Sequence, residues 1–132
     1  PGTGARLTAV PGSSRVFVGG VTAYANEAKL GLLGVSAEAG AEQGAVSEEV
    51  ARQMARGVAR ALDAQAAIAV TGIAGPDGGT PSKPVGTVWS AVLWRDQVRT
   101  VTHAFPGDRE DVRSRAAQWA LNYLRRVVAG AL

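Results

Sequence analysis

The run YANEAK at residues 24–29 places a tyrosine, Tyr24, at the end of an apolar stretch and a lysine, Lys29, about one helical turn beyond it. That spacing can bring both side chains to one pocket. A desolvated lysine there acts as a base or lowers the pKa of a neighbouring hydroxyl. Lys29 and Lys83 are the only lysines among 14 basic residues. Where arginine carries nearly every other positive charge, a retained lysine offers something arginine cannot, release of its proton near neutral pH. Chance in an arginine-biased composition fits the same count, and a capped helix with an exposed lysine fits the same run. From the residues alone these readings stay open.

The second candidate is the loop in TGIAGPDGGTPSKPVGTVW at residues 71–89. Gly72, Gly75, Gly78 and Gly79 permit close backbone approach, so that amide N–H groups can converge on an anion. Pro76, Pro81 and Pro84 reduce the freedom of the open loop. The loop follows an apolar strand signal, and open α/β sheets bind ligands beyond the carboxyl ends of their strands. Neither GxxxxGK[ST] nor GxGxxG is present. Both a ligand-binding loop and a purely structural one fit these residues.

Several chemistries are excluded or weakened. The absence of cysteine removes disulfides and thiolate metal sites. His103 is the only histidine, which makes a His-rich metal site or a Ser-His-Asp triad hard to build. Without a visible partner it reads as structural or solvent-facing. The net charge of +3 is modest, the arginines are spread over several segments, and aromatics make up 5%. Direct nucleic-acid binding would want a concentrated basic stripe with stacking aromatics. No apolar run is long enough to span a bilayer and no signal-peptide pattern is visible, so no membrane partner and a cytoplasmic location are expected.

The elements that must position these residues are legible in outline. Residues 5–10 fit either a last helical turn or a short extended piece, followed by the turn signal Pro11-Gly12-Ser13-Ser14. Residues 16–18 and 21–24 read as a strand interrupted by Gly19-Gly20. Residues 26–33 read as a short helix with Asn26 as N-cap and Gly34 as its stop. After a polar link, Ser47 caps a helix with Glu48 and Glu49 in its first turn, and Val50, Met54, Val58, Ala61 and Leu62 recur along one face. Residues 66–70 form a central strand, and residues 86–94 and 98–105 a hairpin turning at Arg95-Asp96-Gln97. Asp108, with Asp111 three residues on, opens a last helix along Val112, Ala116, Trp119, Ala120, Tyr123, Val127 and Val128, which ends at Gly130. Helices alternating with strands predict an α/β fold, a three-layer α/β/α sandwich around a mixed, mostly parallel sheet. No repeat or linker divides the chain, so residues 1–132 are expected to be a single domain.

PGSS at residues 11–14, YANEAK at 24–29, GAVSEEVA at 44–51, the glycine-loop motif at 71–89 and GDR at 107–109 occur in one order. Together they resemble the C-terminal domain of the competence/damage-inducible protein CinA, the nicotinamide-nucleotide amidase family, over essentially the whole chain. The resemblance implies hydrolysis of the carboxamide of nicotinamide mononucleotide to nicotinic acid mononucleotide and ammonia. It implies a serine amidase with a lysine and a tyrosine, and neither metal nor cofactor. Carried over by motif, Tyr24 and Lys29 are the catalytic tyrosine and lysine. Thr71, Gly72, Ile73, Ala74, Gly75, Gly78 and Gly79 line the nucleotide site, and Arg109 contacts phosphate. A homodimer is a further expectation from the resemblance.

One part of the family pattern is missing. The nucleophilic serine sits in a Glu-Ser-Cys-Thr-Gly-Gly motif just ahead of the Leu-Thr and PGSS segment, preceded by a strand, and residues 1–132 do not contain it. Ser13 and Ser14 belong to the downstream PGSS motif and do not replace it. The chain is expected to be a fragment of such an enzyme, or else a chain without its nucleophile. The alternative function is a non-catalytic nucleotide-binding or protein-interaction module linked to competence or the DNA damage response.

Overall fold

A computed structural model describes residues 2–130. The element order is α1 (Thr3–Thr8), a 3-10 turn (Ser13–Arg15), α2 (Asn26–Leu33), α3 (Ala37–Gln43), α4 (Glu48–Ala61), β1 (Ala66–Gly72), β2 (Thr87–Trp94), β3 (Gln97–Ala104) and α5 (Arg109–Val128).

Helix α4 starts where the Ser47 hydroxyl accepts the Val50 amide N–H, with Glu48 and Glu49 beside the positive end of the helix dipole. Its inner face carries Val50, Ala51, Met54, Ala55 and Ala59, all buried. This face packs on all three strands, against a sheet surface made of Ala67, Ala69, Ala91 and Leu93. The small residues let helix and sheet approach closely. On the opposite sheet face Val70, Val88 and Phe105 meet Val112 and Ala116 of α5. That helix opens with a reciprocal cap: the Asp108 carboxylate accepts the Asp111 amide N–H, and the Asp111 carboxylate accepts the Asp108 amide N–H. Burying each fully enclosed valine, such as Val50, Val88, Val92 and Val112, contributes roughly 1.5–3 kcal/mol.

The strand directions correct the expected sheet. β1 pairs antiparallel with β2, and β2 antiparallel with β3, in the order β1-β2-β3. The sheet is therefore an all-antiparallel three-stranded one, not mixed and mostly parallel. A parallel pair needs a crossover, usually a helix, whereas residues 73–86 join β1 to β2 without one. The alternation of helix and strand along the sequence suggested crossovers that the chain does not make.

Two local expectations also differ. Residues 16–24 hold no strand; Val16 and Val18 are 82% and 63% exposed. Alternating apolar residues encode a face to bury but not a neighbour to pair with, and among the described residues no strand pairs with this segment. The link between α2 and α4 contains α3, which Ser36 caps by accepting the Ala39 amide N–H. Its alanine-rich sequence carries no strong apolar period, so propensity and the cap rather than patterning mark it.

Candidate active site

Between residues 16–24 and β1 lies a groove of about 1410 Å³, lined also by residues of α1, α2, α4 and α5. Tyr24, Lys29, Thr71, Gly72, Ala74 and Arg109 all line it. Residues separated by up to 85 positions in sequence thus face one space.

Lys29 reaches the groove because α2 is pressed against α4. Gly57 of α4 meets the Leu33 carbonyl so closely that a Cβ at position 57 would overlap it. The chain then turns at Gly34, in the left-handed region, where the Gly34 and Val35 amides donate back to the Lys29 carbonyl. Asn26 is the first helical residue and Ala25 occupies the cap position without a side-chain acceptor, one residue earlier than the sequence suggests. The Lys29 side chain is half-buried, with no hydrogen-bond or ion-pair partner among the described residues. Its stem rests against protein while the ammonium is free to meet a ligand.

Tyr24 is 82% exposed, and its hydroxyl accepts from the Arg109 guanidinium at 3.3 Å. The other end of that guanidinium donates to the Gly75 carbonyl at 2.9 Å. Arg109 is the first residue of α5, directly after the capping Asp108, so the cap geometry aims it. Gly75 adopts φ +85 and lies against Val85, which a Cβ would strike, so the loop turns back on itself here in a way that glycine permits.

The end of β1 is anchored from the α4 side. Thr71 is buried, and its hydroxyl donates to the Ala45 carbonyl at 2.8 Å, which spends the hydroxyl on holding the loop ahead of α4. Gly72 and Ala74 border the groove. Ile73, Gly75, Gly78 and Gly79 do not. Ile73 lies beneath Gly78, Gly79 packs on Val85, and the Ile73 backbone pairs with Thr87 and Gly86. The far half of the loop is closed by mutual hydrogen bonds of Thr80 and Lys83, and the Lys83 ammonium donates to the Gln43 carbonyl at the end of α3. The second lysine is thus a tether, outside the groove that Lys29 lines.

The groove also carries Glu110 and Arg113 from the first turns of α5, which sequence reasoning did not single out. Their signal was available, since residues opening a helix beside Arg109 share its neighbourhood. His103 lies outside the groove. It stacks on Phe105 at 4.8 Å and tilts against Trp119 at 4.9 Å, and burial holds its pKa below the ordinary value. Among the described residues no group of three or more His, Cys, Asp or Glu could hold a metal ion.

The model of the CinA C-terminal domain matches residues 2–128. The chain belongs to this family. Its CinA-family relatives include a CinA-like protein of Gemmatimonas aurantiaca, 60% identical over 126 residues, which cover 96% of this chain and 29% of the relative. A CinA-like protein of Mycolicibacterium gilvum is 52% identical over 127 residues, 96% of this chain and 30% of that protein. The chain therefore spans less than a third of the length of these curated relatives. Among solved CinA-family structures, the competence damage-inducible protein A of Klebsiella pneumoniae superposes with a TM-score of 0.92 at 38% identity, covering 96% of this chain and 79% of that one. The competence/damage inducible protein of Agrobacterium tumefaciens gives 0.90 at 40% identity, covering 92% and 75%. Among the described residues no helix is long and apolar enough to cross a membrane.

Proposed function

We propose that residues 1–132 are the substrate-holding part of a nicotinamide-nucleotide amidase, which converts nicotinamide mononucleotide and water to nicotinic acid mononucleotide and ammonia. The observation that carries this reading is the convergence of Tyr24, Lys29, the carboxyl end of β1 and Arg109 on one groove, in a chain of the CinA family. A serine hydroxyl attacks the carboxamide carbon, and its proton passes to the Lys29 amine assisted by Tyr24. The tetrahedral intermediate collapses, the proton goes to the departing nitrogen, and ammonia leaves an acyl ester. Water then attacks that ester by the same acid–base route and frees the serine.

The nucleophile in this scheme comes from the family's Glu-Ser-Cys-Thr-Gly-Gly segment, outside residues 1–132. Gly2, Thr3 and Gly4 line the same groove as Lys29, so a segment joined ahead of them would start beside the site. Arg109 uses two of its five N–H donors on Tyr24 and Gly75, leaving three for a substrate phosphate. Gly72 and Ala74, on the wall of the groove, would border the nucleotide.

The test is ammonia release from nicotinamide mononucleotide by a chain carrying, ahead of residue 1, the preceding segment of the Gemmatimonas aurantiaca relative. Turnover is expected from that extended chain, and binding without turnover from residues 1–132. No ammonia from a folded extended chain would sink the amidase reading, and binding without turnover by both would favour a nucleotide-binding module.

A further inference from the structure

Tyr24 stands at the end of a segment that packs Val21 and Ala23 against the core but makes few hydrogen bonds. Residues 18–24 form no helix or strand, and among the described residues their backbone N–H groups donate no hydrogen bond to another backbone carbonyl. The tyrosine ring is mostly in solvent, and among the described residues the one hydrogen bond to its hydroxyl comes from Arg109. Arg109 is itself fixed at two points. Its backbone begins α5 immediately after the Asp108–Asp111 cap, and its guanidinium grips the Gly75 carbonyl. A rigid planar group held at one end therefore sets where the phenol oxygen sits at the other.

We propose that Arg109 is a positioning residue that holds the Tyr24 hydroxyl over the groove and couples its placement to the glycine loop through Gly75. Its consequence for turnover rests on the amidase reading above, while the positioning itself does not. A lysine cannot take this role, because a single ammonium on a flexible stem does not present two donors in a fixed plane to acceptors on different segments. Held by Arg109, the end of the segment before α2 presents Tyr24 in one conformation, which is the kind of pre-organisation that acid–base chemistry requires.

Two measurements test this. In residues 1–132 labelled at tyrosine, the sequence has only Tyr24 and Tyr123, so NMR resonances of the phenol carbons assign at once. Arg109→Gln and Arg109→Lys are each expected to shift the Tyr24 resonance and leave Tyr123 in place; reciprocally, Tyr24→Phe is expected to shift the Arg109 guanidinium N–H signal. An unmoved Tyr24 resonance in Arg109→Gln overturns the proposal whatever the enzyme does. In the extended chain, Arg109→Gln is expected to lower kcat about tenfold with Tyr24 present but less than about twofold in a Tyr24→Phe background, the non-additivity of residues acting through one another. KM rises in both backgrounds as the phosphate contact is lost. Equal kcat losses in the two backgrounds would show that Arg109 does not act through Tyr24. If the extended chain does not turn over at all, the amidase reading fails and the resonance shifts alone decide the positioning.

Discussion

Lys29 and His103 show how differently two titratable side chains are used. Lys29 faces the groove with no protein partner for its ammonium among the described residues, and arginine at that position keeps the charge but not the ability to lose a proton. In the extended chain Lys29→Arg is expected to lower kcat by about a hundredfold or more, the usual scale of a lost general base, with KM changing little. A variant that retains most of its activity would remove Lys29 from the proton path. His103, stacked between Phe105 and Trp119, is the more useful probe of stability. Its folded pKa lies below the ordinary 6.5 because burial disfavours the cation. The unfolded chain therefore binds the proton more readily, and His103 makes stability decline as pH falls from about 6.5 toward the folded pKa. Urea midpoints between pH 7 and 5 are expected to fall less steeply for His103→Phe than for the native chain. Glu48 acts in a lower window. Hydrogen bonds from Arg52 and then Thr100 depress its pKa below 4.5, so its contribution is present above that value and disappears as pH falls through the depressed one.

At the scale of elements, the site depends on how closely α2 lies on α4. The Leu33 carbonyl occupies the space a side chain at position 57 would need. Gly57→Ala is expected to destabilise the fold by about 1–3 kcal/mol, the usual cost of overpacking, and to displace the helix that carries Lys29. Denaturant midpoints measure the first effect. A chemical-shift change centred on residues 26–35 rather than on α5 measures the second. The caps tell the same story at the other end of the groove. Asp108→Ala removes one side of the reciprocal cap that launches Arg109, and is expected to cost about 1 kcal/mol. Helix α4 and its Ser47 cap, and α5 with Asp108 and Asp111, were legible in sequence because capping chemistry and a run of core residues coincide there. Residues 16–24 carry the strand propensity of their valines and threonine without forming a strand, because pairing depends on what lies alongside.

For the whole molecule, the consequential feature is the open edge of β1. Among the described residues β1 pairs only with β2, and its other side faces the groove. Unpaired backbone groups on a strand edge invite pairing with another chain. Residues 1–132 are expected to associate with rising concentration in light-scattering measurements. Concentration-independent monomers of the native chain would show that the edge is already protected. Taken by itself, the sequence determined the composition of the site. YANEAK, the glycine loop and GDR are local motifs whose residue types carry their chemistry with them, and the helix caps are local too. What only the tertiary structure decided is which of these residues share a space. Tyr24, Lys29, Gly72 and Arg109 meet in the groove, while Gly78, Gly79 and Lys83 fold away from it, and the sheet runs antiparallel throughout. The short connection at Arg95-Asp96-Gln97 encodes the β2–β3 hairpin, whereas the direction of β1 against β2 and the convergence on the groove depend on the path of the chain between more distant elements, which no short spacing encodes. Residues 73–86 hold no helix and bring β2 back antiparallel to β1, and the packing of α2 on α4 and of α5 on the sheet then fixes which side chains look into the groove.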